Sequence, residues 1–221
     1  MSGVKGYKLD PEALSLEKGE GANPSEVNHQ ADLISSGWNP KLKSENLLIL
    51  LLGGFQGSGK TTVMNLISSK LDLTILSPDQ IRHNMFEQGY EKPNDFRRLV
   101  NATKYELVKR ALNMGISITL DQALTPDRVR LIKEAATSYP NYRVKSVFLF
   151  SPIQILQERV KNRSIIDDYY KGTLSELEAS IKSYVDIYGE PREEDYDLTL
   201  DSSKDQPEAL ASQIISSFQL E

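Results

Sequence analysis

The 221 residues, 39% of them hydrophobic and 26% charged, suffice for one full core and leave little for a second domain. The absence of cysteine excludes disulfides and thiolate metal sites. The longest apolar run, residues 47–52, is far too short to cross a bilayer, and Met1-Ser2-Gly3-Val4-Lys5 carries no basic-then-apolar signal, so a cytoplasmic protein without a membrane partner is expected. The net charge of −5 hides a gradient: residues 128–163 hold eight basic and two acidic residues, and residues 167–221 hold four basic and fourteen acidic. A basic middle suits a phosphate-rich ligand or is simply a set of solvated helix faces. The acidic tail argues against a chain that coats nucleic acid over its whole surface.

In chain order, residues 1–24 are polar, carry Gly19-Glu20-Gly21 and Asn23-Pro24, and show no sustained period. Ser25 is placed to cap a short helix with Val27, Ala31 and Ile34 on one side, closed by Gly37 before Trp38. Residues 1–44 therefore read as a leader with room for one short helix, docked on the core or on a partner. Beyond it, apolar runs alternate with amphipathic helices, the pattern of βαβ units around a parallel sheet. Strands are expected at 47–53, 73–76, 116–120, 143–150 and 197–200. Helices are expected near 60–70, 79–88, 94–113, 127–138, 153–162, 174–188 and 207–218.

The stretch that organises the rest is Gly54-Phe55-Gln56-Gly57-Ser58-Gly59-Lys60-Thr61, which fits the phosphate-loop pattern G-x-x-x-x-G-K-[ST]. Glycines let the backbone come close to a ligand, so that successive N–H groups point at phosphate oxygens. Lys60 supplies a point charge to the β- and γ-phosphates, the Thr61 hydroxyl is a Mg²⁺ ligand, and Thr62 continues into a helix whose N-terminus favours an anion. Residues 47–52 read as the strand buried on both faces that such a loop follows.

In an open parallel sheet the ligand sits beyond the carboxyl ends of the strands. After the second strand comes Ser77-Pro78-Asp79-Gln80-Ile81-Arg82. Asp79 is placed to take a proton from an attacking hydroxyl, with Arg82 one turn on in the same cleft. A capping box of Ser77 and Gln80 would account for part of this stretch, though not for Arg82. After the third strand, Asp121 suits Mg²⁺, directly or through water, or caps the next turn. Where motor ATPases carry a Glu directly after this Asp, the chain has Gln122, a poor base, which favours transfer over hydrolysis. After the fourth strand, Arg159 and Arg163 share one helix face and either close over a nucleotide or are merely solvated.

Taken together, Gly54 to Thr61, the Asp79/Arg82 pair, Asp121 followed by Thr125-Pro126-Asp127-Arg128, and Arg159-x-x-x-Arg163 resemble the P-loop kinases of the polynucleotide 5′-kinase type and the related zeta-toxin-like and small-molecule phosphotransferases. The likeness covers residues 46–201. It implies a three-layer α/β/α P-loop NTPase fold over 45–221, with a mostly parallel five-stranded sheet of order 2-3-1-4-5 and a helical lid. It implies transfer of the γ-phosphate of ATP, or of GTP, to a hydroxyl of a small molecule or of a polynucleotide 5′ end. Asp79 would be the general base, Arg82 the acceptor ligand, Asp121 its support or a metal contact, and Arg159 and Arg163 the lid arginines on the phosphates. Relatives commonly carry Thr and Asn after the strand-end Asp, where this chain has Gln122-Ala123, which bears on the acceptor. A polynucleotide would lie along the basic residues Arg97, Arg98, Lys104 and Lys109, unless those are only the wet face of an amphipathic helix. The rival from another class is a nucleotide switch or ATPase without an acceptor, but no D-x-x-G follows the loop and no N-K-x-D is present. His29 and His83 show no metal spacing, and no segment points to a protein partner.

Overall fold

A computed structural model describes residues 18–39, 47–90, 96–121, 125–166 and 173–220. The readings made on residues 1–17, on 40–46 and on Gln122-Ala123 lie outside the described residues. Strands β1 (Leu47–Gly54), β2 (Thr74–Leu76), β3 (Ile118–Asp121), β4 (Tyr142–Phe150) and β5 (Leu198–Asp201) form one sheet of order β2-β3-β1-β4-β5, every neighbouring pair parallel. The helices are α1 (Pro24–Ser35), α2 (Lys60–Leu71), α3 (Pro78–Glu87), α4 (Phe96–Met114), α5 (Pro126–Ala136), α6 (Ile153–Ile166), α7 (Leu174–Tyr188) and α8 (Pro207–Ser217). This is the expected three-layer α/β arrangement with the expected strand order.

The central place of β1 follows from its composition, since a strand alternates its side chains between two faces and this one has no polar side chain to give to water. All eight of its residues are buried. Ile49 and Leu51 join the cluster lined by Met85 of α3, Leu107 of α4 and Ile132 of α5. Leu48, Leu50 and Leu52 meet Val63 and Ile67 of α2 and Ile214 of α8 on the other face. Each such side chain, fully buried, contributes about 1.5–3 kcal/mol.

The short helix of the leader docks on the core. Its cap is Asn23 and not Ser25: the Asn23 side chain accepts the Ser25 N–H at 3.0 Å, and Pro24 occupies the first turn. Proline is suited to that place because its missing N–H would be unpaired there anyway, so the helix starts ahead of the serine. Ala31 is fully buried in the core, and the buried Gln30 amide exchanges hydrogen bonds with Gln88 at the end of α3, at 2.8 and 3.3 Å. Arg110 of α4 bridges Asp32 and Glu106.

Of the four basic residues expected along α4, Arg97 and Lys109 are exposed and the other two turn to the protein. Lys104 is buried, with its ammonium 4.8 Å from the Tyr105 ring centre, and Arg98 donates to the Glu20 carbonyl at 2.9 Å. A lysine on the side of α4 that faces the protein is buried by what docks on it, whatever the heptad pattern suggests. The basic middle is likewise drawn into internal contacts: Arg130 pairs with Asp127, Lys133 with Asp197, and Arg143 donates to the Phe218 carbonyl.

Candidate active site

The strand order sets the site. Because β2, β3 and β1 lie side by side, the turns that leave their carboxyl ends are neighbours, and they carry Asp79, Asp121 and the phosphate loop respectively. The loop spans the end of β1 and the start of α2, with Gly54, Gly57 and Gly59 all at positive φ, 145°, 84° and 85°. Gly54 cannot be anything larger, since a Cβ there would collide with the Leu149 carbonyl oxygen and lie 2.5 Å from Ser58 Oγ. Gly59 caps α2 with no side-chain hydrogen bond, which leaves the first N–H groups of that helix to an incoming anion. Lys60 Nζ and the Ser58 N–H both donate to the Phe55 carbonyl, at 3.2 and 3.1 Å. Gln56 is half-buried in the loop, and Thr62 is exposed in the first turn of α2.

Asp121 ends β3 beside Leu52 of β1, and the Thr61 hydroxyl donates to its Oδ2 at 3.1 Å. It is not the cap of the next helix; Thr125 is, accepting the Arg128 N–H at 3.4 Å. Burial pushes the Asp121 carboxyl above the ordinary carboxylate value, opposed by Lys60 and by the Thr61 hydrogen bond. Burial pulls the Lys60 ammonium below its ordinary value, opposed by Asp121 and then Asp79, while Arg163 adds to the lowering. These mutual influences put Lys60, Asp121, Asp79 and Arg163 in one electrostatic neighbourhood. Asp79 stands in the first turn of α3, its side chain 83% exposed and paired with Arg82. The cap of α3 is Ser77, whose Oγ accepts the N–H of Asp79 and not that of Gln80.

The two arginines of α6 part company. Arg163 is exposed at the cleft, whereas Arg159 is half-buried and donates to the Gly57 carbonyl at 3.2 Å and the Ser202 carbonyl at 2.8 Å. Sequence reasoning missed the wall behind the loop. Phe55 stacks edge-on against Phe148 and Tyr184, the hydroxyls of Tyr184 and Tyr196 meet at 2.7 Å in the interior, and Tyr188 donates to Asp127 at 3.2 Å. Burial pushes Tyr184 and Tyr188 each up to about 12. The tyrosines at 184 and 188 lie four apart on α7, a spacing that signals one shared face. His83 pairs with Glu87 on the surface of α3.

The family model described as AAA domain matches residues 49–186, more than half of the chain and every site residue from Gly54 to Arg163. The chain belongs to the AAA domain family. Its curated relatives include a shikimate kinase of Caldicellulosiruptor bescii, 30% identical over 118 residues, which are 51% of this chain and 64% of that one. Among solved structures, a protein of Chloroflexus aurantiacus j-10-fl superposes with a TM-score of 0.57 at 20% identity over 80% of this chain and 98% of that one. A gluconokinase of Sinorhizobium meliloti 1021 does so with a TM-score of 0.52 at 16% identity over 80% and 94%. At those identities the likeness establishes the fold alone, the P-loop α/β arrangement that the resemblance in the sequence implied. Among the described residues no helix is long and apolar enough to cross a membrane.

Proposed function

We propose that this protein is a kinase that transfers the γ-phosphate of ATP, or of GTP, to a hydroxyl group of a small molecule. The observation that carries the reading is the gathering of Lys60, Thr61, Asp121 and Asp79 at the adjacent carboxyl ends of β1, β3 and β2. Gly54 to Thr62 form the phosphate cradle. Lys60, partly buried in the loop and near Asp121, meets the terminal phosphates as a point charge.

The donor set fits Mg²⁺. The Thr61 hydroxyl and the Asp121 carboxylate are hard oxygens 3.1 Å apart. Magnesium is commonly held by one or two such ligands plus phosphate and water, and it supplies charge neutralisation on the β- and γ-oxygens. Asp79 takes the proton of the acceptor hydroxyl as the hydroxyl oxygen bonds to the γ-phosphorus. The bond from that phosphorus to the β,γ-bridging oxygen breaks, and the nucleoside diphosphate leaves with the electron pair. Arg82 orients the acceptor, and Arg163 neutralises charge on the transferring group.

The small acceptor is supported by two findings. Of the basic residues of α4, Lys104 is buried, Arg98 donates to the Glu20 carbonyl and Arg110 bridges Asp32 and Glu106, which leaves Arg97 and Lys109 as the exposed ones, too few for the track a polynucleotide backbone would follow. The shikimate kinase relative is named for a small molecule. The test is incubation with labelled ATP and Mg²⁺ against a panel of sugar acids, nucleosides, nucleotide sugars and 5′-hydroxyl oligonucleotides. Label entering a small hydroxyl compound at a rate insensitive to salt supports the proposal. Label entering only the oligonucleotides, or acceptor-independent release of phosphate alone, overturns it.

A further inference from the structure

Arg159 joins three segments that the sheet alone leaves separate. Its Nη1 donates to the Gly57 carbonyl at 3.2 Å and reaches Ser202 Oγ at 3.4 Å, and its Nη2 donates to the Ser202 carbonyl at 2.8 Å. Ser202 is itself held, since its N–H and its hydroxyl both donate to the Phe150 carbonyl at the end of β4, at 2.8 and 3.1 Å. One guanidinium thus ties the phosphate loop after β1 to α6 and to the turn after β5.

The loop has reason to need such a tie. Gly57 sits at a positive φ of 84° with no side chain to resist rotation, so the peptide between Gly57 and Ser58 can turn over at little cost. A trans peptide points its C=O and its N–H in opposite directions. Holding the Gly57 carbonyl outward on Arg159 therefore aims the Ser58 N–H inward, to the side where the Phe55 carbonyl also receives Lys60. A flipped peptide would break the Ser58 N–H bond to the Phe55 carbonyl and set one carbonyl oxygen against another inside the loop. Space is also tight on that side: a Cβ on Gly57 would lie 3.0 Å from the Leu156 carbonyl oxygen of α6.

We infer that Arg159 is a positioning residue that keeps the phosphate loop in its anion-binding shape by fixing the Gly57 carbonyl to the Ser202 turn, a role distinct from that of Arg163 in the cleft. The inference rests on the nucleotide-binding reading given above. The guanidinium fork matters here more than its charge, because its acceptors are two carbonyls in different segments.

The experiment uses the full chain with Arg159→Met, which keeps the stem and loses the fork, and Arg159→Lys, which keeps the charge and loses the fork. ADP affinity is read by calorimetry and transfer by labelled ATP. Loss of charge-assisted hydrogen bonds should raise the Kd for ADP and the KM for ATP together by about tenfold or more in both variants. The turnover at saturating ATP should stay within about threefold, whereas Arg163→Met should lower turnover and leave the ADP Kd within about twofold. Recovery of ADP affinity in Arg159→Lys, or a fall in turnover alone in Arg159→Met, would assign Arg159 to a direct phosphate contact and overturn the inference. ADP binding by Arg159→Met equal to wild type overturns it as well. If the wild-type chain itself binds no ADP, the nucleotide-binding reading fails and carries this inference down with it, an outcome distinct from the others.

Discussion

Replacing Asp79 by Asn isolates the proposed base from everything else at the site. The carboxylate is 83% exposed, and its partner Arg82 lies on the same helix, so losing that pair costs about 0.3–0.5 kcal/mol. Losing a negative charge from the first turn of α3 costs a further ~0.3–1 kcal/mol. The cap itself is untouched, because Ser77 Oγ bonds the main-chain N–H of residue 79. Together these lower the melting temperature by a few degrees, at about 2–4 °C per kcal/mol for a domain of this size. ADP affinity should be unchanged, since the loop from Gly54 to Thr61 loses no contact. Transfer, in contrast, should fall by about 10²–10⁴, the usual contribution of a general base, which is about 2.7–5.5 kcal/mol on the barrier. The assay is labelled ATP with an acceptor taken from the panel, run beside thermal melting and ADP calorimetry. A folded variant that transfers at more than about a tenth of the wild-type rate would show that Asp79 is not the base.

Three further outcomes follow from the geometry. Thr61→Val removes the hydroxyl that pairs with Asp121, and the Mg²⁺ concentration for half-maximal transfer should rise by at least about tenfold, while metal-free ADP binding holds. Tyr184→Phe removes the 2.7 Å hydrogen bond between the Tyr184 and Tyr196 hydroxyls and should cost about 0.5–1.5 kcal/mol by denaturant unfolding; the double variant with Tyr196→Phe should cost less than the sum of the two single changes. Burial works to raise the Asp197 carboxyl, but Ser146 and Lys133 outweigh it and hold the group below its ordinary value. That interaction stabilises the folded protein above about pH 4 and is lost as pH falls through the folded value, so the gap in melting temperature between wild type and Asp197→Asn should narrow as pH is lowered below the ordinary carboxylate range.

The layer order, and the placing of Lys60, Asp79 and Asp121 at one edge of the sheet, were legible because local chemistry dictates them. A run of six apolar residues must be covered on both faces, and the residues that follow strand ends must face the ligand side. What stayed hidden depends on contacts distant in sequence. Nothing around Arg159 announces that its acceptors are Gly57 and a serine forty-three positions later, so the helix face looked like one lid carrying two equal arginines. Lys104 lies among charged neighbours on a periodic helix and reads as wet until the protein around that helix buries it. Asp127 stood out only as one member of the Thr125-Pro126-Asp127-Arg128 segment, yet it is 3% exposed and receives both Arg130 and Tyr188. Gln30 and Gln88 are ordinary surface residues by composition, and only their meeting across 58 positions shows why both are there.

The segment shared with the family, residues 49–186, stops short of β5 and α8 and begins after α1. A fragment cut to those limits would shed the last strand at one margin and strip Leu210, Ala211 and Ile214 from the wall made by Leu50 and Leu52. It would enter water with a greasy flank laid bare and with Arg159 bereft of the Ser202 turn. For this chain the shared portion is an inventory of chemical parts, and the smallest unit to express or to crystallise runs through to the final helix.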